Sequence, residues 1–351
     1  MDSSKANFLL ITRILYLLLS SMYILVTMLK DNINKSANMQ KVLLTGGNGF
    51  IGQHLVRELR SKNYDLHLIN GPGSETDKNL KNDNVYLIDI LDYKNINKVI
   101  REISPEYVIH LAGLTSIAKS YDDFNNTMNI NYSATVNLAE SCRKQGTVKQ
   151  FIFVGSSDEY GPIQKNKMQK INEDMLLNPA SPYAVSKANA ELYLQYMGNV
   201  YDFPYTIIRP FNTYGRTDNN SFFIEKTISK MLLQEQSISL GNPSLVRDWL
   251  YVDDHVSGYM KVLGNKRAIG QAIQLCTGQG HSIQETAELI SKMTGYSGQI
   301  LWNTMPKRPF EAKIMVGDNT KAKELLGWEP KYTLEQGLEK TIAFWKEKLK
   351  A

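Results

Sequence analysis

Residues 41–62 read KVLLTGGNGFIGQHLVRELRSK. A short apolar run, KVLLT, leads into a cluster of glycines, and the cluster opens into apolar residues at helical spacing. Strand, tight turn and amphipathic helix follow one another without a break. Gly47, Gly49 and Gly52 satisfy G-x-G-x-x-G, while Gly46, Gly49 and Gly52 satisfy G-x-x-G-x-x-G. Lacking a Cβ, such a turn brings backbone N–H groups and a helix N-terminus against a pyrophosphate. A glycine triplet alone also marks an ordinary turn. Set between a first strand and a helix, it predicts dinucleotide binding.

Outward from this stretch the chain keeps the same rhythm. DLHLIN, VYLIDI, YVIHLAG, QFIFVG and YTIIRP are further short apolar runs. Between them lie amphipathic segments such as NINKVIREI, NINYSATVNLAESCRKQ and AVSKANAELYLQYMGNVY. Buried parallel strands read as continuous apolar runs and need helical crossovers. The expected fold is therefore α/β, a Rossmann-type doubly wound parallel sheet. Past about residue 213 the rhythm gives way to helices (FFIEKTISKMLL, SIQETAELISKM, LEQGLEKTIAFWKEKL) and short extended pieces. The expected division is a cofactor domain over 39–212 and a smaller, mainly substrate-binding domain over 213–351, interleaved with it or not.

Composition sets further bounds. The 351 residues carry 42% hydrophobic and 21% charged side chains, ordinary for a globular protein. The formal net charge of +5 is spread without a dense Lys/Arg stripe, which argues against nucleic-acid binding. The two cysteines, Cys142 and Cys276, lie far apart and suit neither a disulfide framework nor a metal site, so no metal is expected and a reducing, cytoplasmic compartment is. From Phe8 to Leu29 the chain is apolar except for Arg13 and some hydroxyls. A helix of that length just spans a bilayer core of about 30 Å. The segment reads either as a membrane contact or as an upstream extension of a reading frame starting at Met39, two residues before the first strand.

The second strand, LHLIN, ends in Asn70, where an acid holding the adenosine ribose is expected in NAD binders. Loss of that carboxylate removes repulsion against a 2′-phosphate, so both NAD and NADP remain open. Lys78 stands some way off. Asp89, after VYLI, is a partner for the adenine amino group or a strand-end cap.

Tyr183 and Lys187 in SPYAVSKANAEL lie four apart on one helix face. A nearby ammonium and an oxidised nicotinamide both favour phenolate, drawing the tyrosine down from its usual value near 10. Such a tyrosine takes the proton of a sugar hydroxyl while hydride leaves the same carbon. The pair falls about 130 residues after the glycine loop and just beyond QFIFVG-SSDEYG. A serine hydroxyl at that strand end completes the set by bonding the substrate oxygen.

Taken in order, the glycine loop, HLAG, GSSDEYG, SPYAVSK and RPFN resemble the extended short-chain dehydrogenases/reductases, the NAD-dependent nucleotide-sugar epimerase/dehydratase family, over about residues 40–348. The resemblance implies a tightly bound, recycled NAD or NADP contacted at Gly46, Gly49, Phe50, Ile51, Gly52, Asn70, Asp89, Ile90, Leu111, Ala112, Tyr183 and Lys187. It also implies a nucleoside diphosphate sugar as substrate and a homodimer or homotetramer joined through helices. LGNPSLVRDWLYVDDHV (240–256) and KRPFEAKIMVGDNTKAKELLGWEP (307–330) are most similar to the GDP-mannose 4,6-dehydratase branch. On that likeness Asn212 and Arg247 would meet the substrate phosphates, and Arg308 with Glu311 the nucleotide end.

A 4,6-dehydratase oxidises C4, removes the acidified C5 proton, expels the C6 hydroxyl and returns hydride to C6. That sequence needs an acid–base group which a 4-epimerase or a 4-keto-sugar reductase does not. SSDEYG offers two carboxylates. Counted back from Tyr160-Gly161, Asp158 falls at the dehydratase glutamate position and Ser156 at the Ser/Thr position. Glu159 falls where dehydratases usually carry an apolar residue and reductase-like relatives can carry glutamate. The expectation is a dehydratase acting on GDP-mannose, with Ser156, Asp158, Tyr183 and Lys187 catalytic; epimerase and reductase are the alternatives. A silent NAD(P)-binding redox sensor is the alternative from another class, and the intact Ser156, Tyr183 and Lys187 argue against it.

Overall fold

The computed structural model describes Met22 and residues 39–74, 84–162, 170–217, 219–305 and 309–350. The apolar segment at 8–29 (save Met22), Lys78 and Arg308 lie outside the described residues. Among those described, no helix is long and apolar enough to cross a membrane.

Seven parallel strands form the central sheet: β1 (Lys41–Thr45), β2 (Asp65–Asn70), β3 (Asn84–Leu87), β4 (Tyr107–His110), β5 (Gln150–Val154), β6 (Tyr205–Pro210) and β7 (Ala272–Leu275). Their spatial order is β7-β6-β5-β4-β1-β2-β3, the doubly wound Rossmann arrangement, with the order reversing between β1 and β4. Thr45 at the end of β1 pairs with Ile69 on one side and His110 on the other. The helices used below are α1 (Phe50–Ser61), α2 (Tyr93–Ile103), α3 (Ala134–Gln145), α4 (Pro182–Tyr201), α5 (Phe223–Leu232), α6 (Val252–Val262), α7 (Ile283–Thr294) and α8 (Leu334–Lys348).

Both faces of the sheet are covered, which is why its strands show no polar alternation. Val42 and Leu44 pack with Leu55, Val56 and Leu59 of α1 and with Val256 and Tyr259 of α6. Leu43 between them points the other way, into a cluster with Ile96 and Ile100 of α2, Leu138 of α3 and Leu194 of α4. Helix starts follow local chemistry. Asp92 accepts from Asn95 N at 3.1 Å to begin α2, and Ser181 accepts from Ala184 N at 3.1 Å to begin α4, with Pro182 in its first turn.

After β6 the chain leaves the sheet. Asn212–Tyr214 pairs in parallel with Trp249–Tyr251, and Val246–Arg247 pairs with Ile314–Met315 and His281–Ser282. Between these pieces the chain returns to the large sheet as β7. Buried Asp248 ties the second lobe together, accepting from Thr277 N at 2.8 Å, Thr277 Oγ1 at 2.6 Å and Gly278 N at 2.8 Å.

Candidate active site

The carboxyl ends of β1 and β4 meet where the strand order reverses, the usual place for a ligand in such a sheet. Gly46 there has φ +75°, and a Cβ on it would stand 2.9 Å from Ala112 N. A Cβ on Gly52 would overlap the Gly46 carbonyl oxygen. Leu111 N donates to Thr45 O at 3.2 Å and Ala112 N to Thr45 Oγ1 at 3.1 Å, so this pair lies beside the loop. Gly49 caps α1 without a side-chain hydrogen bond, so its first turn starts on backbone alone. Phe50 is buried in the core and Ile51 is half-buried.

At the end of β2, Asn70 donates through Nδ2 to Asn48 Oδ1 at 3.0 Å. Its own Oδ1 is buried with no hydrogen-bond partner among the described residues. The open turn and this unused acceptor fit a dinucleotide. β3 stops at Leu87, two residues short of Asp89, because Asp89 already caps the next turn through Leu91 N at 2.9 Å. Ile90 lies half-buried in that turn.

Ser156, Tyr183 and Lys187 come together beyond β5, all nearly buried. Lys187 Nζ donates to Val154 O at 2.8 Å and lies 4.9 Å from the Phe153 ring centroid. Burial lowers its pKa to about 8, against upward pulls from Glu159 and Glu191. Tyr183 departs from the expectation of a lowered pKa. Burial raises it, Asp158 raises it further, and the Ser156 side chain pulls only partly back. The Lys187 ammonium is engaged with Val154 O instead of setting the phenol.

The two neighbouring carboxylates separate sharply. Asp158 is half-exposed and lines a cleft with Ser181, Asn212, Arg247 and Glu311. Ser156 Oγ donates to Asp158 Oδ2 at 3.2 Å and accepts from Asp158 N at 3.1 Å. Glu159 is fully buried and points away, taking Ser156 N at 2.6 Å and facing Arg209 and Glu191 beneath the strand end. The turn Ser157–Tyr160 is a single 3-10 turn, and its pitch puts adjacent side chains on different faces.

The far wall is assembled from separate segments. Asn212 begins its short strand, and Arg247 Nη1 donates to Val246 O at 2.9 Å and Ala312 O at 3.0 Å. Arg247 Nη2 stands 3.8 Å from Glu311 Oε1. The motif RDW thus divides by depth: Arg247 in the cleft, Asp248 in the scaffold, and Trp249 in the core, stacked on Phe223.

Two residues escaped the sequence reading. Asn131 sits in a π-helical turn, Asn129–Ser133, and donates to Ser186 Oγ and Leu114 O, both at 3.0 Å. Its Oδ1 accepts Leu114 N at 2.7 Å, fixing the loop that faces Lys187 Nζ. A π-turn within NINYSATVNL leaves no periodic trace. Arg216 lies between the rings of Phe50 and Phe222, 4.3 and 3.6 Å from their centroids, joining the second lobe to the glycine-loop helix.

A Rossmann sheet with a glycine cradle, a Ser–Tyr–Lys set and a polar cleft defines an NAD(P)-type oxidoreductase architecture of the extended short-chain dehydrogenase/reductase class. The chain belongs, within that class, to the family described as GDP-mannose 4,6 dehydratase, whose model matches residues 43–341. Its relatives include GDP-6-deoxy-D-mannose reductase of Pseudomonas aeruginosa, 28% identical over 89% of this chain and 99% of that protein. UDP-glucose 4-epimerase of Mycolicibacterium smegmatis is 31% identical over 88% and 99%. Among solved structures, UDP-glucose 4-epimerase of Thermotoga maritima with UDP-glucose matches at TM-score 0.80 and 30% identity, covering 88% of this chain and 99% of that one. The Thermus thermophilus UDP-glucose 4-epimerase complex with NAD matches at 0.79 and 25% identity over 87% and 98%. RMD from Pseudomonas aeruginosa complexed with NADPH matches at 0.75 and 27% identity over 88% and 100%. The family therefore comprises nucleotide-sugar epimerases, dehydratases and reductases.

Proposed function

We propose that this chain acts at C4 of a nucleoside diphosphate sugar and eliminates water across C5 and C6, a 4,6-dehydratase. The carrying observation is Asp158, a cleft-lining carboxylate 3.2 Å from Ser156 Oγ. Gly46, Gly49, Gly52 and the start of α1 would hold the NAD(P) pyrophosphate, with Leu111, Ala112 and Lys187 along its length. Bound NAD(P) supplies the acceptor and donor of hydride. The free acceptor on Asn70 suits a ribose hydroxyl better than a 2′-phosphate, which favours NAD.

Tyr183 takes the C4 hydroxyl proton while Ser156 bonds that oxygen. Asp158 then takes the proton of C5, acidified by the adjacent ketone, and gives it to the departing C6 hydroxyl. One carboxylate suffices because the proton removed is the proton the leaving water needs. Asn212 and Arg247 hold the diphosphate, with Glu311 beside Arg247. GDP-mannose is the favoured substrate, on the likeness of residues 240–256 and 307–330 to that branch.

A second reading, 4-keto-sugar reduction or C4 epimerisation, is favoured by the names of the relatives, a GDP-6-deoxy-D-mannose reductase and a UDP-glucose 4-epimerase. A homodimer is proposed through α4, whose Leu192, Tyr196 and Val200 form an exposed stripe at four-residue spacing. The test is a panel of nucleotide sugars and their 4-keto derivatives, with catalytic NAD(P) or with excess NADPH, read by mass spectrometry after a chromatographic step that separates epimers. A product lighter by one water without net cofactor reduction supports the dehydratase. UDP-glucose/UDP-galactose interconversion, or stoichiometric NADPH use on a keto-sugar, replaces it.

A further inference from the structure

Beneath the strand end lies a buried charge cluster that the proposed chemistry does not use. Glu159, Glu191 and Arg209 are each at most 3% exposed. Gly155 separates the two carboxylates by backbone alone: a Cβ there would strike Oε1 of both. Arg209 is committed to one of them, with Nε 3.0 Å from Glu191 Oε1 and Nη2 2.6 Å from Glu191 Oε2. Its remaining Nη1 donates to Tyr160 OH at 2.7 Å. Glu159 receives far less. Its Oε1 accepts Ser156 N at 2.6 Å, Arg209 Nε stands 3.8 Å from its Oε2, and Oε2 has no hydrogen-bond partner among the described residues.

An ionised, buried carboxylate needs several donors or a dedicated cation. Glu191 has both and Glu159 has neither. Lys187 favours the ionised form of Glu159, but its ammonium donates to Val154 O. Burial and Glu191 raise the Glu159 carboxyl well above the usual range, outweighing Arg209 and Lys187. Tyr160 and Glu173, on the cluster's outer side, bond Gln274 and do not reach Glu159.

We propose that Glu159 is carried as a neutral carboxylic acid and is a positioning residue, its Oε1 holding Ser156 N–H so that the Ser156 hydroxyl faces Tyr183. The inference rests on the hydride role given above to Ser156 and Tyr183. The held proton has a consequence: an ionised Glu159 would push Tyr183 further up, adding to the effect of Asp158.

The experiment uses the full chain. Infrared spectroscopy of the resting protein at neutral pH should show protonated carboxylic acid absorbance that diminishes in Glu159→Gln. No such absorbance in the wild type, or absorbance that Glu159→Gln leaves undiminished, overturns the proposal; Glu173, Glu225, Asp248 and Asp254, which burial also raises, contribute equally to both proteins. This readout needs no substrate, so it stands even if the sugar chemistry is misassigned. Glu159→Gln, isosteric with the neutral acid, should keep kcat within about twofold and leave the acid limb of its pH profile in place. Movement of that limb to lower pH by about one unit, the mark of a deleted buried charge, overturns it. Glu159→Leu should lower kcat at least about tenfold while still binding NADH, since small misplacements near the reacting atoms are costly. Unchanged kcat in Glu159→Leu removes the positioning role; should that variant not fold, the infrared and pH readouts still decide.

Discussion

The two walls proposed for the ligands are built from different material. The wall proposed for the cofactor is backbone: Gly46, Gly49 and Gly52, the Leu111–Ala112 pair and a helix start capped by glycine. The cleft proposed for the substrate is lined by side chains, Asn212, Arg247 and Glu311, delivered by three distant segments. A backbone wall tolerates one residue type at each point of close approach, whereas a side-chain wall can be repainted. That difference lets relatives with different sugar chemistry share one fold.

The harshest way to break the comparison is Gly52→Val. Its Cβ would overlap the Gly46 carbonyl oxygen, so the loop must move. We expect NADH affinity to fall by at least about 100-fold, roughly the loss of two charge-assisted hydrogen bonds. Fluorescence titration measures it, and retained affinity would mean the cradle is not where the cofactor binds. Tyr183→Phe, at the junction of the walls, should cost about 10²–10⁴ in kcat while sparing cofactor affinity. Steady-state kinetics beside the same titration separate the two.

The sheet was legible because both of its faces are buried, making each strand a continuous apolar run such as KVLLT or QFIFV. The glycine loop was legible because steric exclusion leaves glycine as its spelling. Tyr183 and Lys187 stood out because their four-residue spacing falls just beyond the QFIFVG strand and its SSDEYG turn. The fates of Asp158 and Glu159 did not, because one 3-10 turn sends neighbours to opposite environments. Asn131 was invisible because a π-turn breaks the periodicity that would mark it. Without a nicotinamide beside it, burial and Asp158 raise the tyrosine more than Ser156 lowers it, a balance of neighbours that the sequence does not spell out.

Substitutions at the strand end sharpen the contrast. Asp158→Asn should lower dehydration about 100-fold yet spare C4 oxidation, seen as transient NADH absorbance without loss of water. Loss of both would assign Asp158 to Tyr183's own step. On the substrate wall Arg247→Ala should raise KM about tenfold with little change in kcat, since a charge-assisted phosphate contact present in ground and transition states is lost. A fall in kcat instead would place Arg247 at the reacting end of the sugar.

Each wall also rests on a buried histidine, and here the expected effect is smallest. His110, under the cofactor wall, is bonded on both ring nitrogens, to Thr45 Oγ1 at 2.7 Å and Thr135 Oγ1 at 2.9 Å. His255, under the substrate wall, bonds Thr213 Oγ1 at 2.9 Å through Nδ1, and its Nε2 has no partner among the described residues. Burial lowers both to about 3, from the ordinary 6.5. Between those values the unfolded chain binds a proton that the folded chain refuses, so each histidine costs stability as pH falls below about 6.5, increasingly until about 3. A variant without the histidine is spared that cost, and the carboxylates common to both proteins cancel in the difference. At pH 7 His110→Gln should destabilise more than His255→Gln, having two bonds to lose. For either, the deficit against wild type should shrink by about 2 kcal/mol on going to pH 5, at about 1.4 kcal/mol per pH unit. Urea unfolding of the three proteins at the two pH values measures it. A deficit that stays constant for one histidine but not the other would show that one wall admits solvent to its histidine and the other does not.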